Sequence, residues 1–192
     1  MPVPPLNIQG VLPPFTGRDP GAVPTDLSPY TVQPIDVVNA FGSTVDRLDI
    51  LTKWLAHRDQ LRQLGLASGF QWLDGSFVER KNPDDLDVVT FFLRPRATNA
   101  NDMALLMAQN PNVFSRLAAK GTYRLDVFWI DMNARPEAVV DATRYYCGLF
   151  SHRRVDYLWK GMLRVDLGPK AVDDIAVAAI QQAAALNGQA VP

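Results

Sequence analysis

The chain has 192 residues, 47% hydrophobic and 20% charged, which suits one globular domain able to bury its own core. A net charge of −1 excludes a global basic field for nucleic acid or anionic membrane, and no stretch approaches the roughly 20 apolar residues that span a bilayer. Cys147 is the single cysteine, so an intramolecular disulfide and a thiolate metal cluster are excluded. The start, Met1-Pro2-Val3-Pro4-Pro5, lacks the basic segment and apolar run of a secretory signal, and a cytoplasmic setting is expected.

Eight of the fifteen prolines fall within residues 1–33. Proline fixes φ and lacks a donor, so this stretch is predicted as an extended arm. Val11, Leu12 and Phe15 give it something to bury against the remaining domain, 34–192. Pro34 opens a short helix. Val45, Leu48, Leu51, Leu55, Leu61 and Leu64 then recur at helical spacing as far as Gly65, a C-cap, with Asp46, Arg47, Lys53, Arg58 and Arg62 filling the outer surface. Phe70-Gln71-Trp72-Leu73 reads as a strand running into Asp74-Gly75-Ser76, and Leu86 to Leu93 as a second, β-branched and aromatic strand.

Asn101 to Lys120 is helical with a break at Asn110-Pro111. Tyr123 to Ile130 is an apolar strand, Pro136 to Cys147 a helix, and Leu163 to Leu167 a last short strand. Val172, Ile175, Ala176, Ala179, Ile180 and Ala183 form one stripe of a C-terminal helix, with Asp173 and Asp174 at its positive end. No internal repeat is present, and the order of elements predicts a mixed α+β domain.

The chemistry is concentrated in Leu73-Asp74-Gly75-Ser76 and Asp85-Leu86-Asp87-Val88. Residues two apart on a strand leave the same face, so Asp85 and Asp87 stand together and repel unless a cation lies between them. Hard oxygen donors suit Mg²⁺ or Mn²⁺. Eight residues separate Ser76 from Asp85, enough for the chain to turn back beside the glycine. Gly75 permits close backbone approach, and exposed amides with the Ser76 hydroxyl suit phosphate oxygens. Asp126 lies inside an apolar strand, where a carboxylate needs a metal, a basic partner or a proton. Asp131 is the weaker alternative.

These pieces, in this order, resemble the signature of the DNA polymerase beta-like nucleotidyltransferase superfamily: a glycine-serine pair, a spacer, Asp-apolar-Asp-apolar, and a third carboxylate on a later strand. The resemblance covers roughly residues 70 to 130, and Asp74 departs from it where an apolar residue is expected. Gly10-Val11-Leu12-Pro13-Pro14, Gly75-Ser76-Phe77-Val78 and Lys160-Gly161 are similar to segments of small bacterial and phage proteins of that fold, some from toxin–antitoxin or antiviral defence cassettes.

The resemblance implies a nucleotidyltransferase fold, a mixed β-sheet flanked by helices behind the proline-rich arm. It also implies metal-dependent transfer of a nucleoside monophosphate from a nucleoside triphosphate, ATP among the candidates. The acceptor is a hydroxyl of nucleic acid, nucleotide or protein, with pyrophosphate released and no template. Asp85, Asp87 and Asp126 are then the catalytic metal ligands, while Gly75, Ser76, Arg80, Lys81 and Lys160 bind the nucleotide. Arg153 and Arg154 join Lys160 in a second basic cluster. The competing expectation is a catalytically inactive nucleotide-binding or interaction module with a cognate partner protein. A phosphohydrolase is disfavoured by the lack of a histidine-aspartate pair. His57 and His152 read as surface residues, Cys147 as core, and Trp54, Trp72, Trp129 and Trp159 as packing.

Overall fold

The computed structural model describes residues 2–19 and 23–186. Five strands form one mixed sheet: β1 (Tyr30–Thr31), β2 (Gly69–Asp74), β3 (Leu86–Phe92), β4 (Leu125–Asp131) and β5 (Leu163–Asp166). Their order is β1-β5-β2-β3-β4, with β2 antiparallel to both neighbours and the β1–β5 and β3–β4 pairs parallel. Helices flank this sheet, so the architecture is α+β.

Local chemistry sets the helix boundaries. Pro34 opens α1 (Pro34–Phe41), where a missing N–H is harmless, and Gln33 with Asp36 closes a capping box around its first turn. Thr44 accepts the Arg47 N–H at 3.3 Å to cap α2 (Val45–Gln63), and Gly65, at φ +82°, ends it. Between β3 and β4 the chain forms α3 (Ala100–Gln109), α4 (Pro111–Phe114) and α5 (Arg116–Tyr123), with Arg124 in the left-handed conformation at the end. The expected single break is therefore two, at Asn110 and at Ser115. The remaining helices are α6 (Pro136–Phe150) and α7 (Lys170–Leu186).

Strand alternation divides the core into two faces. Leu73, Val88, Val127 and Val165 pack with Ile50, Leu51 and Trp54 of α2 and Ala176 and Ile180 of α7. On the opposite face Trp72, Val89, Phe91 and Ile130 meet Phe150 of α6 and Met162. Residues of the 1–33 segment complete the structure. Val11 and Leu12 are fully buried, the Arg80 and Gly161 amides donate to Gly10 and Leu12 carbonyls, and β1 hydrogen-bonds along β5.

Several expectations about burial need correction. Val45 is about half exposed, whereas Arg47, His57 and Arg58 are buried. On a helix, positions 47, 51, 54 and 58 share one side, so both arginines lie on the apolar stripe with Leu51 and Trp54. Arg58 is satisfied there by Asp173, Gln71 and the Asp166 and Leu167 carbonyls. His57 meets the Val113 carbonyl at 3.1 Å, and burial pushes it down to about 4, so it is neutral. Cys147 is exposed on the outer side of α6, and Trp159 is about half exposed, tilted against Phe15 at 5.8 Å.

Candidate active site

At the Asp74 end of β2, three strands align their acidic residues. Asp74 pairs in register with Asp87, and Asp87 with Asp126. Adjacent strands lie about 4.8 Å apart, so these carboxylates are near neighbours on one face of the sheet. Asp85, one residue before β3, lines the same open cleft of about 320 Å³.

Gly75 follows β2 directly, at φ +78°, and begins a 3-10 turn, Gly75–Val78. A Cβ placed on it would stand 1.9 Å from Asp87 Oδ2. Only glycine therefore serves here, both for its left-handed backbone and because the Asp87 carboxylate rests against its Cα. Ser76 lines the cleft, and its hydroxyl makes no hydrogen bond among the described residues. The turn is held from behind by Arg47, which donates to the Phe77, Glu79 and Lys81 carbonyls at 2.7, 2.6 and 2.7 Å. Its guanidinium also sits 5.1 Å from the Phe77 ring centroid.

The electrostatics of the acids are uneven. Asp126 is forked by Arg116 at 2.6 and 2.5 Å, and Asp85 meets Lys120 at 2.6 Å. Both cations come from α5, four residues apart on one helix side. Asp87 has no ion pair among the described residues. Burial pushes it up to about 6, reinforced by the negative charges of Asp85 and Asp126. Asp74 is 2% exposed, and its burial pushes it up to about 7. Lys160 Nζ lies 3.3 Å from Asp74 Oδ1 as an ion pair but outside hydrogen-bonding geometry, so that oxygen is buried without a hydrogen bond.

Lys160 and Arg80 differ from their expected roles. Lys160 is 4% exposed and donates to the Gly75 carbonyl at 2.9 Å and to Glu79 Oε1 at 3.2 Å, with Asp74 as its third neighbour. Two of its three ammonium donors are used on Gly75 and Glu79, while Asp74 is met as an ion pair. Lys160 positions the glycine turn, and its charge is matched by Asp74 and Glu79. Arg80 lies against Gly10 of the arm and is not among the residues lining the cleft. Lys81 does line it, exposed, with only Glu79 at 3.7 Å. Of the second basic cluster, Arg153 is locked to Asp156, while Arg154 is exposed at the cleft and makes no hydrogen bond or ion pair among the described residues.

The donor set fits a hard divalent cation: Asp85, Asp87 and Asp126 supply carboxylate oxygens, and Asp74 adds an unsatisfied one. The oxygens are not yet turned toward one point. No group of three or more His, Cys, Asp and Glu side chains converges among the described residues, and Arg116 and Lys120 pair with Asp126 and Asp85. The segment before the Asp126 strand held a usable signal, two cations at helical i, i+4 spacing. The same holds for Arg47, which falls on the apolar stripe of α2.

A family model described as "Family of unknown function (DUF6932)" matches residues 4–166. The chain belongs to that family. No curated protein and no solved structure matches it. The DUF6932 span contains every cleft residue named above and ends before α7, so Asp173 lies beyond it.

Proposed function

We propose that the protein is a metal-dependent nucleotidyltransferase with a nucleotidyltransferase fold, moving a nucleoside monophosphate from a nucleoside triphosphate to a hydroxyl acceptor with release of pyrophosphate. The observation that carries this reading is the placement of Asp87 in register with Asp126 and against the Cα of Gly75, which joins a carboxylate pair to a glycine turn. Bound Mg²⁺ or Mn²⁺ would supply charge neutralisation of the triphosphate and activation of the attacking hydroxyl. Asp87, Asp85 and Asp126 would hold it, Asp126 from the neighbouring strand. Ser76 offers a free hydroxyl to the polyphosphate. Lys160 and Arg47 keep the Gly75–Ser76 turn in place from beneath and behind. Lys81 and Arg154 are exposed cations at the rim, suited to the leaving phosphates.

The ion pairs on Asp126 and Asp85 favour a second reading, an inactive nucleotide-binding or interaction module of a toxin–antitoxin or antiviral defence system. One experiment separates the two. The protein is incubated with each labelled nucleoside triphosphate and Mg²⁺ or Mn²⁺, with candidate nucleic-acid and protein acceptors, beside Asp87→Asn and Asp126→Asn. The enzyme reading expects label transfer by the native chain and a loss of roughly a hundredfold or more in each variant. Equal transfer by all three proteins removes the site. A native chain that neither transfers nor binds nucleotide establishes the interaction module.

A further inference from the structure

Arg116 and Lys120 are placed unlike structural ion pairs. They are 63% and 56% exposed, while their partners Asp126 and Asp85 are only 16% and 17% exposed, so the cations cap the acids from the solvent side. Exposed pairs of this kind contribute only about 0.2–1 kcal/mol, and a cation that coordinates the oxygens directly displaces them readily. Two further acids of the cleft are less well compensated: Asp87 has no ion pair among the described residues, and a buried Asp74 oxygen accepts no hydrogen bond. The cleft thus holds more acceptor capacity than the chain itself fills. Arg116 has a seat to keep when its partner is taken, because its guanidinium lies 4.6 Å from the Phe128 ring centroid. A planar fork and a flexible ammonium, released side by side, match the oxygens of a polyphosphate.

We propose that Arg116 and Lys120 are exchangeable counter-ions: they cover Asp126 and Asp85 until a divalent cation takes those oxygens, then turn to bind the polyphosphate of a nucleoside triphosphate. This rests on the nucleotidyltransferase reading and deepens it. Metal and nucleotide binding are then positively coupled, since the metal frees the groups the nucleotide needs.

The two ligands should respond in opposite directions to the same substitution. Free Mn²⁺ is followed by electron paramagnetic resonance, and binding of an α,β-methylene nucleoside triphosphate is followed by calorimetry at saturating Mn²⁺. In Arg116→Ala/Lys120→Ala, Mn²⁺ alone should bind several-fold tighter, up to about fivefold for each pair removed. The nucleotide analogue should bind about tenfold weaker or worse. Lys81→Ala/Arg154→Ala controls for the general loss of positive charge and should gain much less Mn²⁺ affinity. Arg116→Lys/Lys120→Arg should restore nucleotide binding in part. An equal Mn²⁺ gain in the control, or unchanged nucleotide binding in the first variant, overturns the proposal while native binding leaves the enzyme reading standing. A native chain that binds neither Mn²⁺ nor nucleotide overturns both.

Discussion

Arg58 of α2, which packs against the sheet, and Asp87 of β3 are both charged side chains, yet their surroundings differ in kind. Near the Gly69 end of β2, all three guanidinium nitrogens of Arg58 donate to protein oxygens, and Asp173 returns a full charge. Toward the Asp74 end, Asp87 faces two other carboxylates and is held above its ordinary range. Arg62 adds a second cation to Asp173 at 2.6 Å. The first region is closed by protein alone, and the second is left needing something from outside. A buried charge that is paired reports on the fold, whereas a clustered charge that is uncompensated reports on a ligand.

The largest expected effect comes from opening the closed end. Asp173→Ala leaves Arg58 charged, buried and short of its carboxylate, and should cost about 3–5 kcal/mol in a denaturant titration. A loss under 1 kcal/mol would erase the distinction between the two regions.

Acid should next act on the regions with opposite sign. His57 has a folded value near 4 against about 6.5 unfolded, so the unfolded chain takes the proton first. Its contribution is intact above about 6.5 and is lost by at most about 1.4 kcal/mol per pH unit as pH falls toward 4. Asp87 is the reverse: raised from about 3.8 to about 6, it favours the fold below about 4 and loses that contribution as pH rises through 6. Relative to the native chain, His57→Gln should therefore gain stability on acidification from pH 7 to 4, while Asp87→Asn should lose it. Parallel pH profiles for the two variants would contradict these environments.

A smaller effect is expected at neutral pH without divalent metal. Asp87→Asn removes repulsion from Asp85 and Asp126 and should stabilise by on the order of 1–2 kcal/mol, read as a raised Tm, even as the proposed nucleotidyl transfer falls. Gly75→Ala probes the same contact from the other side. Its left-handed backbone alone costs about 1 kcal/mol, and the added methyl must displace the Asp87 carboxylate, so label transfer should fall further than stability does.

Much of the fold was legible because strands β2, β3 and β4 are bounded by turn residues and rich in aromatic or β-branched side chains, and because the helical stripes are periodic. β1 was not. Two residues between prolines carry no periodic signal, and pairing with β5, more than 130 positions away, is invisible to local pattern. The acidic cluster and glycine turn could be read because spacing two on a strand sets a shared face. Arg47, Arg58 and His57 escaped because charge in an amphipathic helix was taken for solvent exposure, although their positions fall on the apolar side. The surroundings of Lys160 are equally hidden, because sequence shows a charge but not how many oxygens stand around it.

The link between the proline-rich segment and β5 bears on how the molecule comes into being during synthesis. Leu12 and Tyr30 leave the ribosome more than 130 residues before Gly161, Met162 and Leu163, to which they attach. The proline-rich segment must wait undocked until β5 has been made, and Lys160 reaches Gly75 in the same interval. A nascent chain halted at residue 150 would thus carry all four aspartates without the docked segment or the ammonium beside them, so the cleft is assembled only after residues 160–163 have been added.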